Sequence, residues 1–512
     1  MSDFNFLIDT NIVIALEDAH TVDESFSELV RICNEHGIGL FVEDANFNDV
    51  YRDKDISRRA ITLSKLPKFQ QLRKVPIPTE TELIRRFGYI KNDNDLSDVK
   101  LLNTLDANAV HFLITQDVKL YKRAERSNLG PNVMTVEEAL DWLRQTFQEK
   151  TVQLPYVVER KAYEIELNNN IFKSLRADYP AFDDWFTKCR KQQRDCWVLE
   201  IDEQIAGLII RNDENHSDAQ TTHAGPKILK ICTFKVLDEY RGEKFGELLL
   251  KQVLWFAQHN NYDLVYLTVF PKHDFLIDLL SYFGFSTTRK NQNGERVMEK
   301  PILKGTFPAI NEEILKLDLK YYPRFYDGQE VQKLCVPIQP HYHQKLFPEI
   351  AFGTELPLFP NDKSLIEPWA ERTPGNTIRK VYLCRANIQH LNPGDLLFFY
   401  MSKGTGYERS QTITTIGVIE QTAYATSTEE LVHLTAKRSV FFQQELEALK
   451  ASKSSPILII DFLLVGHLEP PIPLNTLLNA GVFINRPPQS ITNITYNRYD
   501  ALRLYIEIGF KI

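Results

Sequence analysis

Between residues 6 and about 147 the chain alternates short apolar runs with amphipathic stretches: FNFLID, SFSELVRICNEHG, IGLFVED, LSDVKLLNTLDANA, VHFLITQD and VEEALDWLRQTF. Strand followed by helix, repeated, makes consecutive strands parallel and puts helices on the faces of the sheet. An α/β layer with a parallel sheet is the expected fold of this stretch. The composition shifts at QEKTVQLPYVV, near residue 150, and the pattern changes with it. From about 152 to 300 come several strand-like runs and one strong strand, loop and helix, PKILKICTFKVLDEYRGEKFGELLLKQVLWFAQHNNYDLVYLTVF. Leu248, Leu249, Val253, Leu254 and Phe256 recur at helical spacing, which starts the helix close to RGEKFGE. Past 300, short alternating runs (RKVYLCRA, DLLFFYMS, TITTIGVIEQTA) are separated by turn signals such as NPGD, the pattern of a small β-rich barrel.

A chain of 512 residues exceeds what one hydrophobic core supports. The sequence therefore predicts a multidomain α/β protein with domains at 1–149, 152–302 and 325–512. The start MSDFNFLIDT lacks the basic flank and apolar stretch of a secretion signal, and the apolar run PILIIDFLLVG is interrupted by Asp461. These features predict a soluble protein that does not enter membranes. Its six cysteines form no CxxC pair, so neither a zinc ribbon nor a disulfide framework is expected, and a reducing cytoplasm fits. The net charge of −8 argues against blanket affinity for polyanions, yet residues 52–91 carry eleven basic against four acidic side chains. A basic flank beside acidic residues suits a metal and a phosphodiester, and suits a solvated helical face equally well.

In a parallel α/β sheet, chemistry collects at the carboxyl ends of the strands. Asp9 ends the first apolar run, Asp117 ends HFLITQD, and Asp98 lies where the loop KNDNDLSD enters the helix VKLLNTL. Like charges brought together are unfavourable unless a cation sits between them, and Mg²⁺ or Mn²⁺ takes oxygen ligands of this kind. Read singly, Asp98 is equally a helix cap and Asp117 equally a turn residue. FLIDTNIVIALED, DLSDVKLLNTL and HFLITQDVKLYKRA, in that order, resemble a PIN domain over about 145 residues. The resemblance implies a metal-dependent ribonuclease with Asp9, Asp98 and Asp117 as metal ligands. The family's glutamate on an early helix corresponds to Asp49 in FVEDANFNDVYRD, with Glu43 and Asp44 nearer the strand. The catalytic set implied is Asp9, Asp49, Asp98 and Asp117, activating a water on Mg²⁺ or Mn²⁺.

In VLDEYRGEKFGELLL a glycine-bearing loop joins a strand to a helix, where free N–H groups and the positive helix end can receive a pyrophosphate. With the later LVYLTVF and LIDLLSYFGFS, the stretch is similar to the GNAT acetyltransferases over about 150 residues. That similarity implies acetyl-CoA held by Val236, Arg241, Gly242, Lys244, Phe245 and Gly246. Lys244 stands where the family has a glycine, which is tolerable if its backbone keeps an ordinary conformation. The family's proton-donating tyrosine falls at Leu280, two residues from Tyr282. Glu200, Asp202 and Glu239 are the candidate bases.

The third stretch resembles the PUA-like barrels, including ASCH and EVE relatives, in VPIQPHYHQKLFPE, IQHLNPGDLLFFYMSKGTGYE and RPPQSITNITYNRYDAL. The resemblance implies an RNA-reading module. Lys403, Tyr407 and Arg409, on a loop with glycines, suit phosphate contact and base stacking. His341 and His343 alternate on an extended stretch and read as surface histidines, since no third metal ligand is evident. Together the sequence predicts a ribonuclease fused to an N-acetyltransferase and an RNA reader. RNA is the expected partner, the acetyl acceptor is an amine on protein or RNA, and homodimerisation stays open. The combination suits a toxin or defence protein. The rival reading is an acetyltransferase whose first domain is a degenerate PIN scaffold that only binds RNA or a partner.

Overall fold

The computed structural model describes residues 4–15, 24–72, 75–147, 157–201, 204–237, 240, 244–352, 377–385, 388, 390–407, 409–436 and 443–508. The chain divides into two compact units. Met1–Lys150 and Ala425–Ser454 fall in the first, with Glu239–Glu243, and Thr151–Asp238, Lys244–Tyr424 and Ser455–Ile512 in the second.

The first unit is built on five parallel strands, β1 (Asn5–Ile8), β2 (Gly39–Val42), β3 (Gln70–Gln71), β4 (Phe112–Ile114) and β5 (Val133–Met134), in the order β3-β2-β1-β4-β5. The sequence expectation of a parallel sheet is met. Phe6, Leu7 and Ile8 of the central strand pair with Phe112, Leu113 and Ile114 on one side, and all six are fully buried. That is why these strands read as continuous apolar runs. The helix Asp93–Asp106 packs Val99, Leu102 and Leu105 into the same core as Leu7 and Leu113.

The helix Thr428–Thr435 belongs to this unit. His433 lies 2.7 Å from the carbonyl of His111 and its ring packs 4.9 Å from Phe112, while Glu429 meets His111 Nε2 at 2.7 Å. The predicted C-terminal span 325–512 is thus divided between the two units.

The second unit contains two sheets. One has seven strands, β6 (Val157–Lys161), β7 (Asp195–Ile201), β8 (Gln204–Glu214), β9 (Ile228–Val236), β10 (Leu264–Val269), β11 (Ser286–Lys290) and β12 (Arg296–Pro301), ordered β11-β12-β10-β9-β8-β7-β6. All pairings are antiparallel except β9 with β10. The other sheet has six strands, β13 (Lys333–Ile338), β14 (Arg379–Cys384), β15 (Leu396–Met401), β16 (Thr412–Ala425), β17 (Ile457–Pro473) and β18 (Thr492–Asn493), ordered β14-β17-β16-β15-β13-β18. Its edges are β14 and β18, and no pairing between these edges exists among the described residues.

The helix Phe245–His259 joins the two sheets. Leu248, Leu249, Val253 and Leu254 are buried, as helical spacing predicts, and Phe256 of the same set is half-buried. Along a neighbouring stripe, Glu247, Lys251 and Trp255 follow at i, i+4 and i+8, so all three point the same way. Glu247 meets Arg379, Lys251 Nζ meets Glu349 at 3.0 Å, and Trp255 Nε1 donates to Tyr322 Oη at 3.1 Å. Among the described residues no helix is long and apolar enough to cross a membrane.

Candidate active sites

Asp9 follows the last residue of β1 and donates its N–H to the carbonyl of Ile114 at 2.9 Å. Its side chain is 5% exposed and accepts from Thr115 Oγ1 at 2.6 Å. Burial, with repulsion from Asp117 and Asp49, pushes the Asp9 carboxyl up to about 6 against the hydrogen bond from Thr115. Asp98 is pushed up to about 7, first by burial and then by Asp9, Asp117 and Asp49. The four predicted carboxylates therefore share one electrostatic neighbourhood.

In three respects the structure departs from the simple metal cage implied by the sequence. Asp98 is not where a loop enters a helix: KNDNDLSD itself folds into the first turns of Asp93–Asp106, capped by Asn92, whose side chain accepts from Asp95 N. Asp117 uses Oδ1 to cap the helix Val118–Arg126, accepting from the N–H of Lys119 at 2.6 Å and of Leu120 at 3.2 Å. Asp49 accepts from Thr10 at 3.1 Å and is ion-paired with Arg52, which also donates to Ser97 at 2.9 Å. Burial raises the Asp49 carboxyl nonetheless. Among the described residues no three His, Cys, Asp or Glu side chains are placed to hold one metal ion.

Glu43, the earlier of the two acids near the strand, is 7% exposed and held up at about 6, chiefly by burial. Thr104 donates to its Oε2, while Oε1 is buried without a partner. Asp44 is exposed at the start of the helix Asp44–Arg52. Asn46 ties this corner together: it accepts from Glu43 N at 2.8 Å and donates to the carbonyl of Ile8 at 2.9 Å. Asn11 Oδ1, two residues after Asp9, is another buried oxygen without a partner. Sequence reasoning missed both asparagines, because an amide carries no charge signal.

In the second unit β9 and β10 pair only from Ile228↔Leu264 to Ile231↔Leu267. Beyond that the strands part: β9 continues to Val236 against β8 alone, and the end of β10 pairs with β12 alone. The parting leaves one edge of residues 232–236 without its ladder partner beside the helix Phe245–His259. Val236 ends that edge, and Phe245 is 5% exposed at the helix start. Arg241 and Gly242 lie outside the described residues, as do Asp202 and Glu239.

Lys244 caps this helix at φ 59°, ψ 20°, a left-handed conformation, so the condition of an ordinary backbone is not met. The chain keeps the geometry a glycine would adopt although a side chain is present. Gly246 is not strained, and a Cβ there would meet Leu279 at 3.4 Å. Leu280 is fully buried, and Tyr282 hydrogen-bonds to Glu420. Glu200 is ion-paired with Arg160 at 2.8 Å.

One residue missed in the sequence stands where β10 ends. His273 Nε2 lies 3.2 Å from Asp178 Oδ2, and its charge environment includes Lys235 on the diverging part of β9. Burial, opposed by Asp178, lowers the His273 pKa, so its imidazole is neutral near pH 7. The available signal was PKHDF directly after an apolar strand.

In the C-terminal sheet Lys403 is exposed, and Tyr407 packs close to Gly404 in the same loop. Arg409 is half-buried, and its charge reaches His343 and His467. His341 and His343 lie on the helix Pro340–Leu346, not on an extended stretch. His341 is exposed as expected, but His343 is fully buried with Nε2 2.6 Å from Thr414 Oγ1.

Residues 160–285 match the profile of the acetyltransferase (GNAT) family. This stretch is a GNAT acetyltransferase domain. No curated protein matches the chain by sequence. Solved structures similar to it include Ard1 from Thermoplasma volcanium, 18% identical, covering 29% of this chain and 99% of that one at a TM-score of 0.24. Arabidopsis thaliana Naa50, in complex with a bisubstrate analogue, is 22% identical over 23% of this chain and 81% of its own, at a TM-score of 0.20. ASCH from Zymomonas mobilis is 13% identical over 34% of this chain and 96% of its own, at a TM-score of 0.24.

Proposed function

We propose that the GNAT domain transfers an acetyl group from acetyl-CoA to a primary amine. The observation that carries this reading is the parting of β9 from β10 beside the first turn of Phe245–His259. Among the described strands only β8 pairs with residues 232–236, and the N–H groups of Phe245, Gly246 and Glu247 begin a helix, a site suited to phosphate. Acetyl-CoA supplies an activated thioester. The amine nitrogen attacks the carbonyl carbon, the C–N bond forms as the C–S bond breaks, and the departing thiolate takes a proton. His273, oriented by Asp178, takes the proton that the amine gives up. Leu280 leaves no donor at the family's tyrosine position, so in this reading the thiolate is protonated by solvent. Calorimetry of the full chain with acetyl-CoA tests the assignment, and no heat at high ligand rejects it.

A second activity is inferred for the first unit: hydrolysis of an RNA phosphodiester assisted by Mg²⁺ or Mn²⁺. It is favoured by the carboxyl groups of Asp9 and Asp98, both raised chiefly by burial, with Asp117 and Asp49 adding to both and Asp9 to Asp98. The donors are hard oxygens, as these cations require, and the buried Asn11 and Glu43 oxygens lack partners. As they stand the three carboxylates of Asp9, Asp98 and Asp117 are not placed around one ion, so this reading requires them to draw together on a cation, which would lower the pKa of a bound water. Asp49 joins them only by leaving Arg52. Lys403, Tyr407 and Arg409 are proposed to contact the RNA. Incubation of mixed RNA with Mn²⁺ compares the wild type with Asp9→Asn plus Asp117→Asn. Equal cleavage by both rejects this reading and leaves the first unit as a binding scaffold.

A further inference from the structure

The helix Phe245–His259 carries an acid, Glu247, at the third position of its first turn. A carboxylate there opposes anion binding, because it faces the same positive helix end that would receive a phosphate. Glu247 is 3% exposed, so solvent does little to screen it. Its charge is answered from far along the chain. Arg379, the first residue of β14, donates its backbone N–H to Glu247 Oε1 at 2.6 Å and its Nε to Oε2 at 2.8 Å.

Arg379 is itself fixed. Its guanidinium lies over the Tyr282 ring at 5.0 Å, and the Tyr282 hydroxyl bonds to Glu420 on β16. The quartet therefore ties the start of one helix and the end of the helix Asp274–Tyr282 to two strands of the C-terminal sheet. The next residue on β14, Lys380, lies within the electrostatic reach of both Lys244 and Glu247. The first two residues of β14 thus bring positive charge to the helix start.

The geometry points to Arg379 as a positioning residue of the acetyl-CoA site: it neutralises Glu247 and keeps the first turn of Phe245–His259 receptive to the cofactor's phosphates. This rests on the acetyl-CoA reading given above. It also makes the C-terminal sheet part of the acetyltransferase, with β14 supplying the positive charge that meets Glu247.

The test is calorimetry of acetyl-CoA with the full chain and three variants. Arg379→Gln leaves the buried Glu247 carboxylate without its ion-pair partner at the helix start and is expected to weaken binding by about tenfold or more. Glu247→Gln removes the anion and is expected to bind as tightly as the wild type or more tightly. The double variant is expected to return to within about threefold of the wild type. A purely structural joint would give the opposite pattern, with both single variants weaker and the double weakest. Glu349→Gln breaks the neighbouring joint at Lys251, one turn further along the helix, and controls for general loosening: it is expected to lower the melting temperature and leave acetyl-CoA affinity unchanged. Equal affinity for the wild type and Arg379→Gln, or no recovery in the double variant, overturns the inference. Absence of binding by the wild type overturns instead the acetyl-CoA reading beneath it.

Discussion

The hydroxyl of Thr115 donates to Asp9 Oδ2 at 2.6 Å and accepts from the backbone N–H of Asp117 at 2.9 Å. One side chain therefore sets the distance between the ends of β1 and β4. Thr115→Val keeps the shape and removes both bonds. Asp9 loses the bond that favours its ionised form, so its pKa should climb above the present value of about 6. The expected loss of stability is about 1 kcal/mol, since the half-buried N–H of Asp117 is left without its acceptor. Carbon-detected carboxyl titration checks the shift, and an unmoved Asp9 inflection would refute it.

Asp9 and Asp98 titrate at about 6 and 7 in the folded chain, above the ordinary aspartate value of 3.8, mainly through burial. Between pH 4 and 7 the folded state keeps protons that the unfolded chain has already released, so stability falls as pH rises through that window. Asp98→Asn should remove the larger share of the effect. Relative to the wild type it gains on the order of 2 kcal/mol at pH 8 and almost nothing at pH 4. Thermal unfolding at both pH values in chelator gives the comparison. A gain of equal size at both would trace to packing.

Lys244 holds φ 59° without a glycine. Lys244→Gly should stabilise the second unit by about 1 kcal/mol by relieving that conformation, whereas Lys244→Ala should not. Denaturant midpoints of the two variants decide, and equal midpoints would show that the conformation carries no strain.

Burial pushes His343 down to about 3 and His467 to about 4, the latter against the pull of Glu349, with further lowering from neighbouring positive charge. Unfolded imidazoles titrate near 6.5, so below that pH the unfolded chain gains protons that the folded chain refuses. Their contribution is intact above pH 6.5 and is lost as pH falls, by about 2 kcal/mol per histidine at pH 5. His343→Gln should flatten the acid limb of the second unit's stability curve. An unchanged limb would place the acid sensitivity elsewhere.

Although β3, the exposed pair Gln70–Gln71, gave no apolar run to read, the strand and helix alternation of the first unit was legible because β1 and β4 are buried on both faces. The helix start at RGEKFGE was legible for the same reason: Leu249, Val253 and Leu254 repeat at the spacing of a buried face. Less visible were the partners of charged residues. Nothing near Glu247 in sequence announces Arg379, 132 residues away, and nothing near Asp178 announces His273. The lack of a third metal ligand placed His343 on the surface, because a histidine satisfied by a single buried threonine looks no different in sequence from a solvated one.

The contact between His111 and Glu429 spans 318 residues. As the chain leaves the ribosome, the first unit cannot be finished when its own sheet is complete. It must wait until the excursion at Ala425–Ser454 has emerged, which at roughly 5–20 residues per second is a delay of about 15 to 60 s. By then most of the second unit has been synthesised. A gene fragment ending near residue 150 would accordingly lack the helix that covers one end of β4.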